Sequence, residues 1–143
     1  MTPVEIGVLK RKLARMVENL KALRPIAKMS KRKYQEDLYR RKAAERMLQE
    51  LIEAAIDINL HLISAAGHSI PDDYYQSFIT AGELKIISPD LAKRLAPSAG
   101  LRNRLVHEYD EIEDTIILQA VAMAEELYAQ YVHEIEDYIS RRV

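Results

Sequence analysis

The chain contains no cysteine, which excludes disulfides, thiolate metal sites and cysteine nucleophiles. Tryptophan is absent and phenylalanine occurs once, so the aromatic content rests almost entirely on eight tyrosines. Four glycines and five prolines in 143 residues leave little material for long irregular loops. Gly67, Gly82 and Gly100 are isolated, so there is neither a phosphate-cradling glycine loop nor a Gly-x-Ser-x-Gly elbow. The longest uncharged stretches, Ile58–Pro71 and Thr115–Ala124, fall short of the ~18–20 residues that a membrane-spanning helix needs. Met1 to Lys12 has no apolar core of signal-peptide length ahead of its charges, and a cytoplasmic location is expected.

What is present is a globular balance of 48% hydrophobic and 30% charged residues, the size and composition of one domain over 1–143. The net charge of -1 argues against a nonspecific nucleic-acid coat protein. That mean conceals two unlike halves. Residues 1–50 carry 14 Lys and Arg against 6 Asp and Glu, whereas residues 51–143 carry 7 against 16. Solvated helix faces explain such a split, and so does self-association or a charged partner.

The patterning is helical throughout. Thr2-Pro3-Val4-Glu5 reads as a capping box with Pro at the first helical position. Ile6, Leu9, Leu13, Met16, Leu20 and Leu23 then form one stripe, which Pro25 is expected to end. Residues 26–37 read as a polar connection with a basic cluster, Lys31-Arg32-Lys33, and a short turn capped by Ser30. A long second helix is predicted from Leu38 to Ala66, closed by Gly67. A short third helix fits Asp72–Thr80, with a turn at Ala81-Gly82. Ser88-Pro89 opens a fourth, with a break near 97–100 at Pro97 and Gly100. Asp114 is expected to cap a last helix to about Arg141, striped by Ile117, Val121, Ala124, Tyr128, Tyr131, Ile135 and Tyr138. The expectation is an all-α, up-and-down bundle of four long helices and a short one. Its heptad-like seams suggest an exposed apolar face and a two-fold homodimer.

Most titratable groups suggest no chemistry. His61 reads as a satisfied core residue, and His68 as surface. None of the histidines has the spacing of a helical zinc or di-iron site, and no cofactor is expected. The exception is Leu101-Arg102-Asn103-Arg104-Leu105-Val106-His107-Glu108-Tyr109. On a helix Asn103 and His107 share a face, and Tyr109 returns to the Arg102 face if the helix persists. Guanidinium groups suit bidentate phosphate binding, and imidazole changes protonation near neutrality. The set reads as an anion-binding cluster beside a titratable group. Equally, Arg102 and Arg104 could pair with Glu108, Asp110 and Glu111 on a solvated helix end.

Arg102-x4-His107-x-Tyr109 resembles the motif of the HepT-like toxins of the HEPN superfamily. The likeness extends to Ala44-Glu45-Arg46, to Leu51–Ile58 before His61-Leu62-Ile63, to Ile70-Pro71 with Tyr74-Tyr75, and to Ser88-Pro89-Asp90-Leu91. It implies a dimeric helical bundle whose paired motifs face one cleft. It also implies a metal-independent endoribonuclease, the toxin of a prokaryotic pair whose antitoxin is a minimal nucleotidyltransferase. By position, Arg102 and His107 would be catalytic. Asn103 and Arg104 would support phosphate binding or orientation, and Tyr109 would carry AMP. The competing expectations are a non-catalytic helical module that binds nucleotide or another anion and docks a nucleotidyltransferase, and a purely structural dimer.

Overall fold

The structure, a computed structural model, describes residues 4–108 and 111–142. These form seven helices and no strand: α1 (Ile6–Ala27), α2 (Lys31–Glu36), α3 (Leu38–Ala65), α4 (Tyr74–Glu83), α5 (Pro89–Leu95), α6 (Ser98–His107) and α7 (Asp114–Arg142). The all-α expectation holds, but the division into helices differs. Three helices are long, with 22, 28 and 29 residues in α1, α3 and α7. The anticipated fourth long helix is two short ones. Pro97, with φ -60 and ψ -18, caps α6 after α5 ends at Leu95.

The stripes fold as their spacing predicts. Leu9, Leu13, Met16, Leu20 and Leu23 of α1 are buried, as is every member of the α7 stripe. These two helices pack on each other and on α3. The seams that suggested a free dimer face therefore lie inside the chain's own core. No helix among the described residues is long and apolar enough to cross a membrane.

The ends of α1 depart from expectation. Thr2 and Pro3 lie outside the described residues. Glu5 precedes the helix as its N-cap, and its backbone N–H donates to His61 Nε2 at 3.1 Å. His61 is thus half-buried and satisfied at the end of a neighbouring helix rather than inside the core. Pro25 does not end α1: the helix runs on to Ala27 because Ile26 is buried in the core. Losing one N–H near a helix end costs less than exposing an isoleucine.

The connections carry more order than the sequence suggested. In α2, Ser30 Oγ accepts from the Lys33 N–H at 3.2 Å, and Tyr34 anchors the helix in the core. Gly67, at φ +85, closes α3 as expected. Helix α4 starts two residues late, capped by Asp73, and runs through Ala81-Gly82. Gly82 is a packing device rather than a turn: a Cβ there would lie 2.6 Å from the Ala92 Cβ of α5. Asp114 is the first residue of α7 rather than its cap.

Candidate active site

Helix α6 carries the motif and packs on α3 and α4. Leu105 is its buried anchor in the motif, and the ten-residue helix ends at His107. The Glu108 N–H bonds to the Arg104 carbonyl at 2.7 Å. Glu108 itself has left helical geometry, at φ -136 and ψ 29. The helical argument that returns Tyr109 to the Arg102 face therefore fails, and Tyr109 lies outside the described residues together with Asp110.

Arg102 points inward, with its side chain 21% exposed. Its Nη2 lies 2.9 Å from Glu53 Oε2, and its Nε donates to the same oxygen at 3.0 Å. Nη1 donates to Asn103 Oδ1 at 3.2 Å. The guanidinium carbon sits 5.3 Å from the centre of the Tyr74 ring, a cation–π distance. Ile56 and Asp57 complete a polar pocket of about 250 Å³ around Glu53, Tyr74 and Arg102. Asp57 is held from the far side by Lys12 at 3.3 Å. Arg102 thus pairs with Glu53 of a different helix, and among the described residues it has no ion pair with the acidic residues that follow the motif.

A buried polar chain fixes Tyr74. The Tyr131 hydroxyl of α7 donates to Asn59 Oδ1 at 2.6 Å, with the Ala55 carbonyl 3.0 Å away. Asn59 Nδ2 donates to Ser77 Oγ at 3.4 Å, and Ser77 Oγ donates to the Tyr74 carbonyl at 2.7 Å. Desolvation holds the Tyr131 phenol well above its ordinary pKa, so it stays a neutral donor. Three helices thereby converge behind the ring that faces Arg102.

The remaining motif residues point elsewhere. His107 is exposed at the end of α6, and Asn103 is exposed against Arg102 rather than against His107. Arg104 is half-buried, with no carboxylate partner among the described residues. Five helical residues separate Arg102 from His107, about 140° of rotation and about 7.5 Å of rise. Within one chain, α6 does not turn both side chains toward one point. Sequence reasoning missed Glu53, Asp57 and Tyr74 as site residues. The available signal was two carboxylates four residues apart, the only Asp or Glu in the second half of α3. Among the described residues, no group of three or more His, Asp or Glu side chains is arranged to hold a metal ion.

A family model described as "Ribonuclease HepT-like" matches residues 16–135. The tRNA nuclease HepT of Aphanizomenon flos-aquae is 36% identical over 139 residues, covering 97% of this chain and 95% of that protein. The mRNA nuclease HepT of Shewanella oneidensis is 32% identical over 89 residues, 62% of this chain and 67% of that one. The solved tri-AMPylated Shewanella oneidensis HEPN toxin, in complex with its MNT antitoxin, superimposes with a TM-score of 0.80. It is 24% identical over 96% of this chain and 99% of its own, a likeness of fold.

Proposed function

The chain belongs to the HepT-like ribonuclease family, and from that premise we propose that it is the toxin of a prokaryotic toxin–antitoxin pair. It is an endoribonuclease that cuts RNA through Arg102 and His107 without a metal ion. The observation that carries this reading is Arg102 itself, a half-buried guanidinium fixed by Glu53, Asn103 and Tyr74 at the mouth of a polar pocket. Its remaining N–H donors suit a phosphate, whose charge grows as the 2′-oxygen attacks. His107, exposed on the same helix, supplies a proton acceptor for the 2′-OH or a donor for the leaving 5′-oxygen. One imidazole per chain performs one of these tasks, and a two-fold pairing of chains supplies the second. Positioned acid–base groups contribute ~10²–10⁴-fold each.

The dimer face in this reading is the apolar groove at the junction of α5, α6 and α7. Leu101, Pro97, Ala120 and Met123 are among its lining residues, next to the motif. Met123 is 55% exposed, the largest apolar side chain that α7 leaves in water. Asn103 and Arg104 assist at the phosphate. Silencing follows from AMP on Tyr109, two residues beyond His107, by a minimal nucleotidyltransferase antitoxin. The adduct adds bulk and negative charge where the substrate phosphate must sit. The tri-AMPylated state of the solved neighbour supports this reading.

The test is cleavage of a tRNA and mRNA panel by the purified chain, beside His107→Ala and Arg102→Ala. The expected result is activity in the parent and a loss of about 10²-fold or more in each variant. An inactive, unmodified parent that still binds RNA, with binding that survives His107→Ala, would favour the non-catalytic module instead. Co-expression with the nucleotidyltransferase should add AMP mass to the peptide containing Tyr109. Modification confined to other residues would contradict the silencing route.

A further inference from the structure

The corner formed by α2 and the first turns of α3 has no task in the reaction, yet it is strongly basic. Residues 28–42 hold seven Lys and Arg against two carboxylates. Both carboxylates are already engaged, Glu36 by Arg32 at 3.4 Å and Asp37 by Arg40 at 2.6 Å. Lys28, Lys31 and Lys33 are exposed and have no carboxylate partner among the described residues. Tyr39, in the first turn of α3, is 88% exposed, and its ring touches almost nothing of its own chain.

This corner faces the same side as the Arg102 pocket. Tyr39, Arg46 and Glu53 follow one another at seven-residue intervals along α3. A helix drifts only about 20° per seven residues, so the three share one side over about 21 Å. Arg46, paired with Glu50 at 3.2 Å, lines a groove of about 410 Å³ between α1 and α3, opposite Arg11 and Arg15. Those two arginines are exposed and have no carboxylate partner among the described residues. The groove ends at Glu53 and Asp57, which are also walls of the Arg102 pocket. Between the exposed ring and the pocket the groove thus carries four cations, Arg11, Lys12, Arg15 and Arg46, against three carboxylates, Glu50, Glu53 and Asp57.

We propose that this track is a second RNA-binding site, on which an unpaired stretch of substrate lays its phosphates past Arg11, Arg15 and Arg46 and stacks a base on Tyr39. The site rests on the ribonuclease reading of Arg102 and His107 and extends it to how the substrate is held. Every nucleobase has a π-face that stacks on an aromatic ring, and flanking cations follow the backbone charge. A protein partner fits less well. Stable protein interfaces bury about 800 Å² per partner around an apolar centre, and here only Leu38 and Tyr39 are large exposed apolar groups.

The experiment measures binding of a labelled tRNA and a single-stranded oligoribonucleotide by fluorescence anisotropy over a range of salt. The background is His107→Ala, so that the RNA stays intact. Tyr39→Ala should raise the Kd about five- to a hundredfold, and Tyr39→Phe should restore it to within about twofold. The Arg11→Ala/Arg15→Ala double variant should lower the slope of log Kd against log salt by about 1.4, as two lost single-strand phosphate contacts require. Unchanged affinity and slope in these variants, with the parent binding RNA, would overturn the second site and leave the ribonuclease standing. Unchanged RNA affinity with lost capture of the partner nucleotidyltransferase would also overturn it, making the corner a protein dock. A parent that neither binds nor cleaves RNA would overturn the ribonuclease reading first, and this inference with it.

Discussion

Glu53 both positions Arg102 and competes for it. Its carboxylate orients the guanidinium through Nε and Nη2, and it also stands where it repels an incoming phosphate. Glu53→Gln keeps the shape and removes the charge. Steady-state kinetics should then show KM for RNA falling and kcat falling with it, because binding gains what orientation loses. Equal kcat with raised KM would contradict this role. Tyr131 acts one layer behind. Tyr131→Phe leaves Asn59 Oδ1 buried without its donor, an omission costing about 1–3 kcal/mol in urea denaturation. Arg102, His107 and Asn103 could be singled out as candidates from the sequence because they lie within six positions of one helix. Glu53 and Tyr74 were not, because residues 49 and 28 positions away reach Arg102 only through the packing of α3 and α4 on α6.

Helix boundaries show which local signals prevail. Ser30, Ser88-Pro89 and Gly67 punctuate the chain where their chemistry says. Pro25 and Gly82 do not, since Ile26 is buried and Ala92 presses against the Gly82 backbone. Period alone does not register such tertiary contacts. Gly82→Ala should destabilise the chain by about 1–3 kcal/mol through overpacking between α4 and α5, read as a lowered midpoint in urea. An unchanged midpoint would mean that α5 yields freely. At the start of α3, hydrogen bonds from the Arg40 backbone and side chain hold the Asp37 carboxyl below the usual aspartate range. A folded-state value below the unfolded one contributes stability at pH values above the unfolded value. That contribution fades as the pH falls through the folded value. The Arg40 amide should therefore be protected from exchange at pH 5 and lose protection as the pH is taken well below the ordinary aspartate value of ~3.9. Equal protection at both would deny the cap.

At the scale of the whole molecule, the core stripes and three of the four anticipated long helices were readable from spacing. The route to a dimer was not, because the stripes that suggested one are spent inside the chain. The surface proposed for a second copy is the groove around Leu101 and Met123, beside the motif. Light scattering should give twice the mass of 16.5 kDa at micromolar concentration. Met123→Glu should halve that mass and remove cleavage together. A dimer that survives Met123→Glu would place the contact elsewhere, and a monomeric, active parent would remove the two-histidine mechanism. The unlike charges of the two halves also acquire a location, since the excess of cations gathers along α1, α2 and the start of α3.

The central claim is that Arg102 and His107 cut RNA by proton transfer rather than through a metal ion. The most direct measurement is the chemistry of the 3′ ends left on tRNA cut in excess EDTA by the parent chain. Attack by the 2′-oxygen predicts 2′,3′-cyclic phosphate ends, undiminished by EDTA and absent with His107→Ala. Fragments bearing 3′-hydroxyl ends, or cleavage that EDTA stops, would contradict the account.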